Sequence, residues 1–291
     1  MRTELRAALR LSALLLPVAL LHIDGSVAGQ QTGAPGRQVG ISLAPSVVML
    51  SGQPGQAYRQ TLRLTNHTTQ VLTFGLEAQD VVVEDGRRLF VAAGELAGSI
   101  AATAVFSPRE VVIAPGQVGI AHVTLTLPAG TAVRGVAAIF RGQTVVGNQR
   151  GVAMTASLGA LITFTLSTNL RLEASAPEVA EQTDTNNLSL TESVTNAGSE
   201  PIVAGGAAAL LNDQGVLIGK VPVEPQRLMP GERLSFKADY PTLLIPGRYR
   251  ALFSLEYDDH DRKVLTRTAD FEVRADRSDR LDADRSAGVR P

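Results

Sequence analysis

Apolar and polar residues alternate along much of the chain, and the alternation is clearest over residues 152–166. Every second residue there is apolar: Val152, Met154, Ala156, Leu158, Ala160, Ile162, Phe164 and Leu166. Most residues between them are small or hydroxylated, so the segment has the period of two that buries one face of a β-strand. Gly159 lies within this pattern and predicts a bulge or bend.

The same period predicts strands over most of the remaining chain, separated by turns rich in glycine, proline, asparagine and aspartate. In the first half, the predicted strands are residues 40–50, 58–65, 71–83, 89–91, 110–114, 118–127 and 133–141. In the second half, they are residues 170–174, 188–195, 202–211, 216–221, 234–240, 248–257 and 264–273. Residues 92–103 are rich in alanine and glycine and fit either a loop or a short helix.

Two stretches of the chain repeat one order of features. Residues 114–140 contain a Pro-Gly turn, an alternating strand, a glycine turn and another strand, and residues 229–253 contain the same series. A strand ending in Thr-Asn precedes each stretch. About seven short strands with turns between them are typical of an immunoglobulin-like sandwich. The sequence therefore predicts an all-β protein with two tandem immunoglobulin-like domains, residues 40–167 and 168–274.

The first 28 residues have the features of a secretory signal peptide. Three arginines precede an apolar run at residues 11–21, and residues 26–28 have the small-x-small form of a cleavage site. An uncleaved membrane anchor is the rival interpretation. The run contains Pro17, however, and is shorter than the ~20 residues that span a bilayer.

Two further segments flank the predicted domains. Residues 29–39 are rich in glycine, proline and glutamine and form a predicted flexible lead-in. Residues 275–291 alternate arginine and aspartate and form a predicted disordered tail. The predicted signal peptide indicates an exported protein. We expect it in the periplasm, with secretion or a place on the cell surface as the alternatives.

The composition excludes several classes of function. The chain has 27 basic and 28 acidic residues, a formal net charge of −1, which argues against nucleic acid or an anionic membrane as the partner. Without cysteine the chain has no disulfide, no thiol to carry a lipid and no cysteine nucleophile. Packing alone must therefore hold each domain together.

The remaining candidates for chemistry are few. After the signal peptide the histidines are His67, His122 and His260, and no nucleophile-elbow phrase or metal-binding spacing accompanies them. We therefore expect no enzyme activity, no catalytic residue, no metal site and no cofactor. Asp258, Asp259 and Asp261 on one predicted hairpin leave binding of a hard cation as an open alternative.

Two interpretations fit the alternating segment at residues 152–166. It is either the last strand of the first domain or an edge strand that pairs with another chain. On the second interpretation the partner-binding residues are Val152, Met154, Ala156, Leu158, Ile162 and Phe164.

The order of these features resembles two groups of bacterial exported proteins. The WxL-interacting surface proteins are similar in their phrases at residues 107–109, 114–116, 134–135, 196–198 and 246–249. The PapD-like periplasmic pilus-assembly chaperones are similar at residues 62–66 and 107–116. Both resemblances imply two immunoglobulin-like domains and a role in assembling other exported proteins. The surface proteins have a C-terminal membrane anchor, and the residues printed after Val273 do not predict one. The chaperones bind the C-terminus of a pilin with an Arg/Lys pair, and the resemblance assigns no residues of this sequence to that pair.

These observations lead to a hypothesis of function. We expect a non-enzymatic exported protein that binds another exported protein, either a pilin-like subunit or a surface-assembly subunit, by edge-strand pairing. A carbohydrate- or envelope-binding module is the alternative. Only 4% aromatic residues and no tryptophan weaken that alternative, because sugars stack on flat rings.

Overall fold

The computed structural model describes residues 40–142, 157–182, 187–241, 244–257 and 263–274. The predicted signal peptide, lead-in and tail lie outside the described residues, as do Val152, Met154, Ala156, Asp258, Asp259, His260 and Asp261. Within the described ranges the chain forms eighteen β-strands and one short 3-10 helix, with no α-helix. This content confirms the predicted all-β class.

The strands follow one another in two groups. The first group is β1 (Ile41–Ala44), β2 (Val47–Ser51), β3 (Ala57–Asn66), β4 (Leu72–Glu84), β5 (Arg87–Ala92), β6 (Val105–Ser107), β7 (Glu110–Ile113), β8 (Val118–Thr126), β9 (Gly135–Gly142) and β10 (Ser157–Thr165). The second group is β11 (Leu172–Ala174), β12 (Glu178–Gln182), β13 (Asn187–Asn196), β14 (Ile202–Asn212), β15 (Leu217–Leu228), β16 (Arg233–Tyr240), β17 (Gly247–Glu256) and β18 (Val264–Val273). The 3-10 helix is Ala101–Thr103, between β5 and β6.

These strands form four sheets. Sheet I has the order β1-β3-β8-β6, and sheet II has the order β2-β10-β9-β4-β5, with β7 also paired to β4. Sheet III has the order β11-β13-β12, with β16 also paired to β13, and sheet IV has the order β15-β14-β17-β18. Among the described pairs only β2 with β10 is parallel.

Each half of the chain has its own hydrophobic core between two sheets. Buried residues from sheets I and II form the first core and include Leu62, Leu125, Phe74 and Phe140. Buried residues from sheets III and IV form the second core and include Leu190, Phe236, Leu210 and Phe253. The described chain is therefore two tandem immunoglobulin-like sandwiches, as predicted. The predicted domain boundary after residue 167 lies in the connection between β10 and β11.

The first predicted strand, residues 40–50, is two strands in different sheets. β1 pairs with β3 in sheet I, whereas β2 pairs with β10 in sheet II. Pro45 lies between them, and proline has no N–H with which to continue a ladder of hydrogen bonds. The prediction of one continuous strand was therefore wrong. The break lets one short segment contribute to both sheets of the first sandwich.

The second sandwich also differs from the prediction at one edge. Strand β15 continues to Leu228, past the predicted end at residue 221, although it contains Pro222 and Pro225. Prolines are tolerated there because β15 is the outer strand of sheet IV and pairs only with β14 within that sheet.

A buried asparagine fastens the Pro-Gly turn in the first sandwich. The side-chain amide of Asn66 donates to the carbonyl oxygens of Gln70 (2.7 Å) and Ile113 (3.0 Å). Its side-chain oxygen accepts from the backbone N–H of Thr68 (2.9 Å), and its backbone oxygen accepts from Gly116 N–H (2.9 Å). One side chain thus joins the end of β3, the following turn and the end of β7.

The second sandwich repeats this cluster of hydrogen bonds. The side-chain amide of Asn196 donates to the carbonyl oxygens of Glu200 (2.8 Å) and Leu228 (3.1 Å). Its side-chain oxygen accepts from Gly198 N–H (3.0 Å), and its backbone oxygen accepts from Gly231 N–H (2.8 Å). The repeated phrases of the sequence therefore correspond to one repeated structural unit.

Asn66→Ala and Asn196→Ala should each lower the free energy of unfolding by about 2 kcal/mol, because each leaves buried backbone groups without partners. Urea unfolding followed by circular dichroism measures this loss. Asn212→Ala is the matched control, since the described hydrogen bonds of the Asn212 side chain lie within an exposed hairpin turn. Equal losses in all three variants would contradict a special role for the buried pair.

Candidate functional site

Strand β10 is covered along only part of its length. Residues 157–163 pair with β9 on one side, and residues 161–165 pair with β2 on the other side. Residues 157–160 therefore have a neighbouring strand on one side only, among the described residues. The register with β9 runs through Gly159 without a shift, so the bulge predicted at that glycine is absent.

The structure separates the predicted partner-binding residues into two groups. Ile162 and Phe164 are fully buried in the first core, and the ring of Phe164 packs edge-on against Tyr58 with centroids 5.4 Å apart. Leu158 is half-buried against the same core. The available part of the predicted site within the described residues is thus the region around Leu158.

The backbone of β10 directs hydrogen-bonding groups to alternate sides. Leu161 N–H donates to the carbonyl of Ser46, which precedes β2 (2.9 Å), whereas Phe164 N–H donates to the carbonyl of Arg134, which precedes β9 (2.9 Å). Because successive residues face opposite sides of a strand, Ser157 and Gly159 face the same side as Leu161. No described strand covers that side at either residue.

A groove crosses the outer face of sheet II beside this uncovered edge. It has a volume of about 390 Å³ and is lined by residues of β5, β4, β9 and β10, among them Phe90, Gln79, Ala137, Ile139, Gly159 and Leu161. The Phe90 side chain is 60% exposed, whereas Ala137 is almost fully buried in the groove floor. The face is therefore largely apolar and open to solvent next to β10.

The second sandwich packs on the first through a buried carboxylate. Glu200 accepts hydrogen bonds from Arg134 Nε (3.0 Å), the backbone N–H of Leu166 (2.8 Å) and the Ser167 hydroxyl (2.8 Å). Its side chain is fully buried, and that of Arg134 is 14% exposed. This carboxylate joins the start of β9, the connection after β10 and the second sandwich.

A second ion pair lies nearby, between β5 and the second Pro-Gly turn. Glu232 lies 2.7 Å from Arg88 Nε and accepts from Met229 N–H at 2.8 Å. Arg88 also donates to the carbonyl of Arg227 (2.5 Å), whose own Nε is buried without a hydrogen-bond partner. Burial, and to a smaller extent the nearby Arg88 cation, lowers the pKa of Arg227.

Backbone contacts complete the interface between the two sandwiches, which we call the joint. Arg233 N–H donates to the carbonyl of Gly86 in the β4–β5 hairpin (2.9 Å). A side-chain carbon on Gly135 would lie only 2.7 Å from the Met229 methyl group, so Met229 of the second sandwich packs closely on the start of β9. The second sandwich therefore covers one end of the outer face of sheet II, and Arg88 belongs to both the joint and the groove lining.

Inspection of single motifs did not find the two carboxylates of the joint, but a comparison of the repeated stretches could have found them. Glu200 lies four residues after the buried asparagine of its copy, where the first copy has Gln70. Glu232 follows the glycine of the Pro-Gly turn, where the first copy has Gln117. The same structural unit thus carries amides in the first sandwich and interface carboxylates in the second.

The described histidines are separate from one another. His67 Nε2 lies 3.0 Å from the Ser42 hydroxyl, and His122 Nδ1 lies 3.0 Å from the Thr61 hydroxyl. Within the described ranges, no group of three or more histidine, cysteine, aspartate or glutamate residues is arranged to hold a metal ion. The same ranges contain no helix with the length and hydropathy to cross a membrane.

The fold and this site define a two-sandwich protein with a half-covered strand beside an apolar groove. Neither a protein-family model nor a curated protein sequence matches the chain. Among solved structures, the class 5 fimbriae chaperone CfaA is similar at 10% identity and a TM-score of 0.41, covering 81% of this chain and 99% of that chain.

Two further solved structures are also fimbrial or related chaperones. A chain of the CsuC–CsuE chaperone–tip adhesion subunit complex of Acinetobacter baumannii is similar at 8% identity and a TM-score of 0.40, over 78% of this chain and 97% of that one. The E. coli chaperone DraB is similar at 16% identity and a TM-score of 0.36, over 81% of this chain and 98% of that one. The function proposed below rests on the edge and groove of this chain.

Proposed function

We propose that this protein is a non-enzymatic, chaperone-like binding protein of the periplasm. It would bind an extended segment of another exported protein by adding that segment to sheet II beside β10. The partner class, a pilin-like or surface-assembly subunit, follows from the resemblance in sequence. The observation that supports the mechanism most directly is that β10 is covered on both sides only from Leu161 onward.

An uncovered strand edge supplies affinity through its backbone. No described strand pairs with the outward N–H and C=O groups of Ser157 and Gly159. These groups can therefore form the ladder that a partner strand needs, because sheet edges are templates for pairing. Alternate side chains then determine which partner fits. Among the described residues, Leu158 would contribute an apolar contact with the partner. Val152, Met154 and Ala156 remain predicted partner-binding residues of the preceding segment.

Gly159→Pro should weaken binding of a pilin-like subunit at least about tenfold, because it removes an N–H that faces the uncovered side. The pairing with β9 should persist, since Gly159 directs its hydrogen-bonding groups away from β9. Binding is measured by calorimetry with purified subunits from neighbouring genes. Hydrogen exchange should show new protection at residues 157–160 in the wild type and none in the proline variant.

Gly159→Ala is the matched control for this experiment. Its added carbon would meet nothing closer than 3.8 Å, and its N–H is retained, so affinity should stay within about threefold of wild type. A folded proline variant that binds as tightly as the alanine variant would contradict strand addition at this edge.

A further inference from the structure

Gly159 is a glycine that the fold itself does not require. A side-chain carbon built there would lie 3.8 Å from the Ala138 carbonyl oxygen and 3.9 Å from Ile139, both ordinary contact distances. By contrast, a carbon at Gly119 or Gly135 would come within 2.4 or 2.7 Å of neighbouring side chains. Packing within the sandwich therefore does not require a glycine at this position, which lines the groove.

This space is continuous with the uncovered edge of β10. A strand added at that edge would place every second side chain on the outer face of sheet II, beside Ser157 and Gly159, since β2 already pairs at Leu161. The side chain opposite Gly159 would find no neighbour on β10 itself. Large rings pack over such a glycine from the adjacent strand and so recover buried area that the glycine leaves exposed.

The walls of the groove suit an apolar ring. Ile139 and Ala137 form the floor, and the 60% exposed ring of Phe90 stands on the far side. The volume of about 390 Å³ leaves room for one large side chain above this floor.

We propose that this groove accepts one aromatic side chain from the segment that pairs with β10. The inference rests on the proposed function and deepens it: the partner segment is an extended strand with an aromatic residue on its outward face, opposite Gly159. Gly159 is then the residue that determines specificity, because a side chain larger than that of alanine would fill the receiving space.

The test uses the exported chain and three capped eleven-residue peptides of alternating valine and threonine. Their central threonine position carries phenylalanine, leucine or alanine, so that valines face the core side and the variable residue faces the groove. We expect the phenylalanine peptide to bind wild type at least about tenfold more tightly than the alanine peptide. Gly159→Val should abolish this difference while leaving the thermal midpoint within a few degrees of wild type.

Gly75→Val is the matched control variant. Gly75 lies on the same outer face, has open space above it and does not line the groove, so its valine variant should keep the preference for phenylalanine. Peptides that protect residues 157–160 from exchange without any preference for phenylalanine would overturn this inference alone. Failure of all three peptides to protect these residues would overturn the proposed function and this inference together.

Discussion

Glu200→Ala is expected to lower the free energy of unfolding by about 3–5 kcal/mol, the largest effect that the structure predicts for one side chain. The carboxylate is fully buried and accepts hydrogen bonds from Arg134, from the Leu166 backbone and from the Ser167 hydroxyl. Its removal leaves the nearly buried Arg134 guanidinium without its counter-charge and the Leu166 N–H without a partner. Urea unfolding followed by circular dichroism at neutral pH measures the loss.

An exposed ion pair provides the control for this prediction. Glu173 pairs with Arg171 on the surface, where both side chains are more than half exposed. Glu173→Ala should therefore cost less than about 1 kcal/mol, because exposed pairs contribute little. A loss for Glu200→Ala no larger than that for Glu173→Ala would show that the joint does not depend on the buried carboxylate.

The strands and the duplication were predictable from local chemistry. A Pro-Gly turn needs a residue with positive φ, and the structure has Gly116 at 71° and Gly231 at 79°. Alternation then identifies the strands, because a sandwich strand buries one face and exposes the other. Two copies of this arrangement are therefore visible in the sequence without any long-range information.

The candidate site was only partly predictable, because alternation does not reveal what covers a strand. Ile162 and Phe164 continue the same apolar series as Leu158, yet they lie fully in the core. The difference arises from β2, which pairs in parallel with residues 161–165 from a position more than a hundred residues earlier in the chain. A strand face that packs on its own core and one that packs on a partner have the same sequence pattern.

The ion pair at the joint between the sandwiches was not predictable from the local sequence either. Arg88 and Glu232 are 144 residues apart, and neither is unusual in its local sequence. Their proximity follows from the docking of the second Pro-Gly turn on the β4–β5 hairpin, which no local pattern specifies. Only the exchange of an amide in the first copy for a carboxylate in the second marks Glu232 as distinct.

One buried acid lies in the second core without any hydrogen-bond partner. Glu192 occupies β13 between Leu190 and Val194, is 1% exposed, and has both carboxylate oxygens buried and unpaired. Burial raises its pKa from 4.5 to about 7, although the attraction of Arg267 on β18 opposes this shift. The charged form of the carboxyl is therefore unfavourable in the folded protein near neutral pH.

The free energy of unfolding should consequently fall as the pH rises from about 4.5 to 7. Above pH 7 the contribution of Glu192 to the free energy of unfolding should stay constant. Below pH 4.5 the Glu192 carboxyl is protonated in both the folded and the unfolded chain. Between the two pKa values only the folded chain keeps the proton, so a rising pH stabilises the unfolded chain relative to the folded chain. The pKa difference corresponds to a loss of about 3 kcal/mol.

Glu192→Gln should remove most of this pH dependence, because the amide does not ionise. Urea unfolding of the variant and the wild type between pH 4.5 and 8 measures how steeply the free energy of unfolding of each protein changes with pH. Glu178→Gln on the adjacent strand β12 is the control, since Glu178 is exposed and its substitution should leave the slope of the wild type unchanged. If wild type and Glu192→Gln lose stability in parallel over this range, the buried carboxyl ionises as it does in the unfolded chain.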